Sequence, residues 1–203
     1  MKNKIYLEIS FKFLTIIALS YFAYNIFLGY EITNKKTLLL LLLGELLTIG
    51  LVVFSKATNT RDLSLISIVL TLSASFYFFL VNLNGNEKFI SETSAEIIMI
   101  IGISWQILSK LYLGRNFGLL PAYRGIVVNG PYRVVRHPIY LGYFIMHVGF
   151  LLSSFSIFNL FLYFFLYVIQ FGRIIYEEKI LSKNEAYQNY KEKVRYRIIP
   201  FLL

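Results

Sequence analysis

Two short charged clusters hold the side chains of this chain that are best suited to chemistry. The stretch "NGPYRVVRHPIYLGY", Asn129–Tyr143, places two arginines and His137 between long apolar runs. The second cluster, "RIIYEE", begins at Arg173 and ends with Glu177 and Glu178. An arginine can hold a carboxylate or a phosphate in two places, and a glutamate can hold an ammonium group. The two clusters therefore favour an amphoteric ligand, or a pair of oppositely charged ligands.

The position of the second cluster bears on its role. Arg173 and Glu177 lie four residues apart, so they share one helix face and could form an ordinary ion pair at a solvated surface. They directly follow an apolar run, however, and charges at that depth normally face a bundle interior or a cavity. We therefore expect these side chains to face a cavity.

Proline and glycine give the first cluster an irregular backbone. Pro138 suits the first position of a helix, and the residue before it, His137, is pushed toward extended geometry. Gly130 and Pro131 break regular structure a few residues earlier. We expect a loop whose backbone N–H and C=O groups need water or a ligand beside the membrane. The alternative is a plain turn whose arginines anchor it to lipid headgroups.

Composition excludes several kinds of site and points to a membrane protein. The chain has 203 residues, a charged fraction of 15% and no cysteine, which excludes disulfides and thiolate metal sites. Since His137 and His147 are its two histidines, we expect no metal site. The net charge of +9 could suggest nucleic acid, but the basic residues cluster in short segments between apolar runs. Such clustering is typical of membrane-protein loops, so we expect membrane lipids and no nucleic acid as partners.

Six apolar stretches predict the fold. The first four have the length of about 17–25 residues with which a helix crosses a bilayer. The last two are shorter and only "SSFS" separates them, which predicts a tight helical hairpin. The stretches are Phe11–Tyr30, Thr37–Phe54, Leu63–Leu83, Ala95–Leu113, Ile139–Ser154 and Ile157–Gly172. No alternating strand pattern occurs, so the prediction is an all-α, polytopic membrane bundle of five to six spans. Residues 1–203 are predicted to form a single membrane domain, with N-terminal spans in 1–112 and the charged clusters in 113–203.

The distribution of positive charge predicts the orientation. Seventeen of the 20 Lys and Arg residues fall in segments that even-numbered crossings place on one side, if Lys12 and Lys110 are counted at the span edges. Only Lys35, Lys36 and Lys88 fall on the other side. Cytoplasmic loops are enriched in Lys and Arg. Both termini and the first charged cluster are therefore predicted to be cytoplasmic.

The residues after the second cluster predict an amphipathic helix on the cytoplasmic surface, broken near Asn184. Apolar and aromatic side chains recur there at helical spacing. They are Ile180, Leu181, Tyr187, Tyr190, Val194 and Ile198. A simpler interpretation is a basic tail held to anionic lipid, which explains the lysines but not "RIIYEE".

Three polar side chains lie within the predicted spans. Glu45 would be costly facing lipid, so it either accepts a hydrogen bond between helices, which we prefer, or lines a substrate cavity. Gln106 is expected near a cavity or at a contact between helices. His147 is expected to be a packed or hydrogen-bonded histidine rather than a base.

Together, the motifs resemble a known family. "GPYRVVRHPIYLGY", followed about thirty residues later by "RIIYEEKIL", resembles the isoprenylcysteine carboxyl methyltransferase and phospholipid methyltransferase superfamily of membrane enzymes. The upstream "LGRNFGLLPAYRGIVVNGPY" and the closing "NEAYQNYKEKVRYRIIP" are similar to the same family. The resemblance covers about Leu113–Pro200, and the first three spans match only as hydrophobic helices.

The resemblance implies a methyltransferase that uses S-adenosylmethionine and a lipid-like or membrane-partitioned acceptor. Residues that lie along the cofactor are implied to be Arg124, Gly125, Ile126, Val127 and Tyr132. Residues that wrap its adenosine part are implied to be His137, Pro138, Ile139 and Tyr140. Glu177 is implied to engage the amino-acid part of the cofactor, and Glu178 completes the family's pair of glutamates. Arg173 is implied to lie near the methyl-accepting group, so Arg173 and Glu177 are the expected catalytic residues.

Methyl transfer agrees with the side chains present. Transfer from a sulfonium is an in-line displacement from an activated donor, so the protein need only align the reactants, exclude water and place charges. Arg173 favours an acceptor with a negative charge, such as the carboxylate of an isoprenylcysteine-like molecule. A phospholipid amine and a small hydrophobic thiol or acid remain open. One departure is Asn184, where the family usually has glycine; because asparagine tolerates left-handed backbone geometry, we expect the turn to persist.

Two other functions fit part of the sequence. Sterol-type membrane reductases share an Arg-His-Pro-x-Tyr-x-Gly string and a similar "YRIIP" ending, but they use NADPH. They usually carry an Arg-Asp-Glu-like cluster with a nearby Cys, whereas here "YEEKIL" stands and cysteine is absent. A non-enzymatic membrane scaffold or transporter subunit would explain the spans and the tail. It leaves both charged clusters without a role.

Overall fold

The structure, a computed structural model, describes residues 2–34, 36–58, 60–82 and 87–202. Within these residues the chain forms seven α-helices, three short 3₁₀-helices and no β-strand. The α-helices are α1 (Lys2–Thr33), α2 (Lys36–Phe54), α3 (Leu65–Phe76), α4 (Glu92–Leu113), α5 (Pro138–Ser153), α6 (Ile157–Leu181) and α7 (Glu185–Lys193). The 3₁₀-helices are Tyr77–Leu80, Gly114–Asn116 and Gly130–Arg133.

Four helices in the described part of the chain are long and apolar enough to cross a membrane, and two shorter helices are apolar. The long ones fall in α1, α2, α4 and α6, and the shorter ones in α3 and α5. The prediction of an all-α, polytopic bundle is therefore confirmed. Helices α5 and α6 are joined by three residues, as the predicted hairpin requires. Helix α6 is longer than its predicted stretch, so Arg173, Glu177 and Glu178 continue the same helix without a break.

The third helix begins later than the predicted stretch Leu63–Leu83 because two polar side chains cap it. The Ser64 hydroxyl accepts a hydrogen bond from the Ser67 N–H at 3.3 Å. The Asp62 carboxylate accepts from the Ser64 N–H and the Ser67 hydroxyl, at 2.8 and 2.6 Å. Such caps satisfy N–H groups that a helix leaves unpaired at its start, so α3 begins at Leu65.

The same helix also ends early. After α3 the chain tightens into the 3₁₀-helix Tyr77–Leu80. Asn82 then exchanges two hydrogen bonds with the Asn159 side chain of α6, at 3.0 and 2.8 Å. This exchange fixes the chain against α6 at the point where the span finishes. The last residue of the predicted stretch falls in 83–86, outside the described residues.

Successive apolar helices alternate in direction, which gives the bundle two distinct ends. At one end, the Lys56 N–H donates to the Arg115 carbonyl at 2.8 Å, joining the loop before α3 to the loop after α4. At the other end, Glu87 and Phe155 exchange backbone hydrogen bonds of 3.3 and 2.9 Å. The first charged cluster and the residues after α6 share the end that holds Lys56. Of the basic residues predicted for the opposite side, Lys35 lies outside the described residues.

Lys110 is a buried cation rather than a loop residue. Its side chain is 1% exposed within α4, and its ammonium donates to the Thr48 hydroxyl at 2.7 Å and to the Gln106 Oε1 at 2.9 Å. Lys110 lies near the end of its span, where the charge count placed it, but its charge faces the bundle interior. Its neighbours on α2 and α4 supply the acceptors that make burial of the charge possible.

The apolar helices form a row that bends around a central cavity. Helices α4 and α5 pack most closely; α2 lies against α4, α1 against α2, α6 against α5 and α3 against α6. The row closes where the rings of Tyr21 and Phe79 approach to 6.4 Å between centroids. The outer faces expose large apolar side chains, among them Phe13, Phe54 and Phe164. An exposed apolar belt of this extent is typical of a surface that contacts lipid.

Two glycines allow α4 and α5 to approach this closely. A Cβ atom on Gly102 would lie 2.6 Å from the Met146 backbone nitrogen and 2.8 Å from the Gly142 carbonyl oxygen. A Cβ atom on Gly142 would lie 2.8 Å from the Gly102 carbonyl oxygen. Small residues at such positions let helix backbones meet inside a membrane. This contact fixes α5, and with it the segment that begins at His137, against α4.

Substitution of Gly142 by alanine should destabilise the bundle, because the added methyl meets backbone atoms that cannot move aside. We expect Gly142→Ala to cost roughly 1–3 kcal/mol. Gly50→Ala is the matched control, since a Cβ atom there meets nothing within 4 Å and alanine favours helix. Thermal unfolding of the purified variants in detergent measures both effects. Equal unfolding temperatures for the two variants would contradict the close α4–α5 contact.

Candidate functional site

One cavity connects the first charged cluster with the apolar interior of the bundle. Its volume is about 590 Å³, within the range of roughly 300–1,000 Å³ that is typical of small-molecule sites. One end is lined by the loop between α4 and α5 and by side chains of α6 and α7. The other end is lined mainly by apolar side chains of α1, α2 and α3. The cavity therefore offers one polar end and one apolar end to a ligand.

The buried carboxylate of Glu178 holds the first charged cluster in place. Its Oε1 accepts a hydrogen bond from Arg136 Nε at 2.8 Å and lies 3.2 Å from His137 Nε2. Its Oε2 accepts from Arg197 Nε at 3.2 Å. Hydrogen bonds to a charged group are shorter and stronger than neutral ones. Glu178 therefore joins the loop before α5 and the residues after α7 to helix α6.

Backbone carbonyls after α7 complete this anchor. Arg136 Nη1 donates to two of them at 2.8 and 2.6 Å, and the N–H groups of Arg136 and His137 donate to two more at 2.9 and 2.8 Å. The acceptors are, in order, Val194, Arg195, Tyr196 and Arg197. The expectation that these backbone groups need water or a ligand is therefore wrong for residues 136 and 137, because the chain itself satisfies them.

Glu177 points away from its neighbour and lines the cavity. Adjacent residues on a helix point about 100° apart, so Glu178 faces the anchor while Glu177 faces the polar end of the cavity. The Glu177 side chain is 36% exposed, and its Oε2 lies 4.0 Å from His137 Nδ1. The imidazole of His137 therefore lies between the two carboxylates. Unlike Glu178, Glu177 keeps a carboxylate that a ligand can reach.

Arg173 is held in the cavity wall by neutral groups. Its Nη2 donates to the Leu119 carbonyl at 3.0 Å and its Nη1 to Gln170 Oε1 at 3.2 Å. Its guanidinium carbon lies 5.7 Å from the centre of the Tyr140 ring, in a cation–π contact. Among the described residues, Arg173 forms no ion pair with Glu177. The structure therefore does not contain the ordinary surface ion pair between Arg173 and Glu177.

The loop after α4 forms the wall beside the polar end. The buried Arg124 donates from Nε to the Lys56 carbonyl at 3.1 Å, and its guanidinium occupies the space that a side chain on Gly118 would fill. Gly125 has φ +106°, a conformation that favours glycine. Beside it, the buried Oδ1 of Asn116 has no hydrogen-bond partner within the described structure. Asn116 thus offers a ligand an acceptor that the sequence prediction missed.

Three tyrosines cover the polar end. Tyr132, Tyr187 and Tyr190 are buried together with Val194, and the Tyr190 hydroxyl donates to the Tyr132 carbonyl at 2.7 Å. Burial raises the pKa of the Tyr132 phenol well above its usual range, so the phenol stays neutral. The apolar face of α7 therefore packs on the loop that leads into α5.

Helices α6 and α7 are separate, as the predicted break near Asn184 requires. Asn184 has extended geometry, with φ −108° and ψ 129°, and its Oδ1 accepts from the Ala186 N–H at 3.0 Å. The expected left-handed turn is therefore wrong. Asparagine acts instead as the N-cap of α7, a position that it favours strongly.

The structure brings almost all of the predicted site residues to one cavity. Every predicted residue except Glu178 is among those that line it: Arg124, Gly125, Ile126, Val127, Tyr132, His137, Pro138, Ile139, Tyr140, Arg173 and Glu177. Sequence reasoning missed Asn116, Arg136, Gln170 and Arg197 as site residues. Arg136 lies in the first charged cluster, but its partners, Glu178 and the carbonyls after α7, are far away in sequence. No local pattern therefore indicated its role. The contacts of these residues with a cofactor stay a prediction.

The side chains at the polar end fit the chemistry of the implied cofactor. S-adenosylmethionine carries amino groups, and the unpartnered Asn116 Oδ1 and the half-exposed Glu177 carboxylate are both acceptors for such donors. The described residues include no group of three or more His, Asp or Glu that could hold a metal ion.

Comparison with known proteins agrees with this geometry. Residues 93–189 match the phospholipid methyltransferase family, and no curated protein matches the chain. The matched segment starts in α4 and ends in α7, so it contains both charged clusters, the α5–α6 hairpin and Asn116. The predicted resemblance is therefore confirmed. Residues 93–189 are thus similar to the phospholipid methyltransferase family, part of the isoprenylcysteine carboxyl methyltransferase-like superfamily of integral membrane methyltransferases.

Proposed function

We propose that this membrane methyltransferase uses S-adenosylmethionine and transfers its methyl group to a lipid-like acceptor. One observation carries the proposal: the polar site around Glu177 continues into apolar space between α1, α2 and α3 within a single cavity. A polar cofactor suits the first part, and a lipid-like acceptor suits the second. Arg173 and Tyr140 line the cavity between them, so the reacting atoms would meet beside these two residues.

The residues around the polar end supply binding and alignment. Bound S-adenosylmethionine supplies a methyl group on a sulfonium, which is already activated for displacement. Glu177 holds the ammonium group of the cofactor by a charge-assisted hydrogen bond. The loop that includes Arg124 and the segment that begins at His137 hold the remainder. Tyr132 and its aromatic neighbours keep water from the polar end, which strengthens the electrostatic interactions there and limits side reactions.

Arg173 positions the acceptor. Hydrogen bonds to Leu119 and Gln170 use two of the five N–H donors of its guanidinium, and the Tyr140 ring supports its face. A guanidinium held in this way can bind a carboxylate in two places without further ordering. We therefore favour an acceptor with a carboxylate, as in an isoprenylcysteine-like molecule. A phospholipid amine, which the family's description suggests, is the alternative.

The polar end of the cavity faces the cytoplasm in this proposal. The cofactor is cytosolic, and the loops at this end carry most of the positive charge of the chain. Both termini then lie in the cytoplasm, while residues 87–91 lie on the opposite side of the membrane.

Single-cysteine variants test this orientation, because the chain contains no cysteine. We expect Lys88→Cys to react with a membrane-impermeant maleimide on intact cells. Lys191→Cys, on exposed α7, should react only after the cells are permeabilised. The cysteine-free parent protein is the control for background labelling. Labelling of Lys191→Cys, but not of Lys88→Cys, on intact cells would contradict the proposed orientation.

The adjacent glutamates should respond differently to the same substitution. Glu177→Gln should weaken S-adenosylmethionine binding about tenfold to a hundredfold, because a charge-assisted hydrogen bond contributes about 1.5–3 kcal/mol. Its unfolding temperature should stay near that of the parent. Glu178→Gln should lower the stability by about 3–5 kcal/mol, since it breaks a buried ionic network. Calorimetric titration and thermal unfolding of the same preparations measure the two effects.

Glu192→Gln is the control for both variants, because Glu192 is exposed on α7. It should change neither cofactor affinity nor unfolding temperature. If Glu177→Gln is folded and binds S-adenosylmethionine as the parent does, Glu177 is not in the cofactor site.

Arg173→Lys should separate acceptor positioning from cofactor binding. Lysine keeps the charge but loses the planar fork, so we expect near-normal S-adenosylmethionine affinity. The methyl-transfer rate should fall tenfold or more, since misplacement by about 1 Å can cost roughly a hundredfold. Transfer to extracted membrane lipids, read by mass spectrometry, measures the rate, with exposed Arg195→Lys as the control. A parallel loss of binding and rate would assign Arg173 to the cofactor or to the fold.

A further inference from the structure

A second cluster of polar side chains, which we call the deep cluster, lies farther inside the same cavity. Glu45 of α2, Thr71 of α3 and Gln106 of α4 all line it, and they are 8%, 2% and 2% exposed. Each has a side-chain atom that is buried without a hydrogen-bond partner among the described residues: Glu45 Oε1, Thr71 Oγ1 and Gln106 Nε2. Buried polar atoms are normally paired. Three unpaired atoms from three helices around one cavity indicate a place where a ligand supplies the partners.

Lys110 fixes the orientation of this cluster but is not free to bind a ligand. Its ammonium donates to the Thr48 hydroxyl, to Gln106 Oε1 and, at 3.5 Å, to the Gly44 carbonyl. These three bonds use all three N–H donors of the ammonium. Because an ammonium can only donate, Gln106 must turn its oxygen toward Lys110. The amide nitrogen of Gln106 is therefore the end left unpaired.

The deep cluster lies beyond Arg173 as seen from Glu177. The Arg173 guanidinium carbon lies 5.7 Å from the centre of the Tyr140 ring. The Lys110 ammonium, which donates to Gln106, lies 5.7 Å from the centre of the Tyr143 ring. The two tyrosines are three residues apart on α5, a rise of roughly 4.5 Å. The deep cluster thus begins about one helical turn farther into the bundle than the position where methyl transfer is proposed.

We propose that Glu45, Thr71 and Gln106 form a second binding subsite, which takes an uncharged hydroxyl or amide group on the apolar body of the methyl acceptor. The name "acceptor" rests on the proposed function, whereas the subsite itself rests on the three unpaired atoms. A hydroxyl or an amide can donate to Glu45 Oε1 and accept from Gln106 Nε2, and the Thr71 hydroxyl can do either.

Other chemical classes fit these three atoms less well. An ammonium group can donate to Glu45 but cannot accept from Gln106, and repulsion by the nearby Lys110 charge offsets the attraction to Glu45. A carboxylate cannot donate to Glu45, which repels it in turn. A plain hydrocarbon leaves all three atoms unpaired. The subsite therefore selects a neutral group that both donates and accepts.

The test uses 12-carbon probes that differ only in the end group: dodecan-1-ol, dodecane and dodecylamine. The unfolding temperature of the detergent-solubilised protein, followed against probe concentration, gives the affinity of each. We expect dodecan-1-ol to bind at least threefold more tightly than the other two. Thr71→Val keeps the side-chain size but removes the hydroxyl, and it should weaken dodecan-1-ol binding about twofold to tenfold. Without a probe its unfolding temperature should be unchanged or higher, because Thr71 Oγ1 has no partner on the protein.

Thr15→Val is the matched control, because Thr15 lines the same cavity from α1 but lies outside the deep cluster. It should leave dodecan-1-ol affinity unchanged. Glu45→Gln provides a second variant if Thr71→Val does not fold, and it too should reduce the preference for dodecan-1-ol. Both variants should bind S-adenosylmethionine as the parent does.

The outcomes separate the subsite from the proposed function. Equal dodecan-1-ol affinity in the parent, Thr71→Val and Glu45→Gln would overturn the subsite and assign the three atoms to water. A parent protein that prefers dodecan-1-ol through Thr71 but does not bind S-adenosylmethionine would overturn the proposed function and leave the subsite standing. Tighter binding of dodecylamine than of dodecan-1-ol would overturn the assignment to a neutral group.

Discussion

The polar end of this protein depends on one buried carboxylate. Glu178 accepts hydrogen bonds from three basic side chains, which belong to the loop before α5 and to the segment after α7. Taking such charges out of water is costly unless opposite charges and hydrogen bonds replace the water, and here both oxygens are engaged. Because Arg136 is held between Glu178 and the carbonyls after α7, α5 starts at a fixed place. The positions of His137, of Tyr140 and of the cavity wall follow from that start.

The closest helix packing in the bundle lies on one side of the cavity. Gly102 and Gly142 bring the backbones of α4 and α5 into contact, so the wall that carries Tyr140 and Tyr143 is held rigidly. Helices α1, α2 and α3 contribute mostly side chains that are apolar, with Glu45 and Thr71 as exceptions. In the proposed function, precise alignment is needed where the methyl group moves, whereas an apolar chain is bound by contact area. The α4–α5 contact lies beside Gln106, so it fixes the cavity wall between the polar end and the apolar end.

Local patterns predicted the helices and most of the site, and tertiary contacts decided the rest. The apolar runs predicted the membrane bundle because length and hydropathy alone determine which helices can span. The motifs also predicted residues such as Tyr132 and Glu177 that line the cavity. No local pattern shows which of two adjacent glutamates faces a cavity, since that depends on the rotation of α6. In the same way no local pattern showed that Lys110 points into the bundle, because its acceptors on α2 are some sixty positions away in sequence.

The anchor around Arg136 also has a consequence for biogenesis. Its acceptor on Val194 lies 58 residues later in the chain, so at about 5–20 residues per second translation reaches it roughly 3–12 s after Arg136. During that interval α5 and α6 are made, and the loop before α5 lacks both Glu178 and the later carbonyls. The polar end of the cavity therefore cannot take its final shape until the residues after α7 have been synthesised. A ribosome-bound or truncated chain that stops before residue 194 would carry the apolar helices without the anchor that shapes the polar end of the cavity.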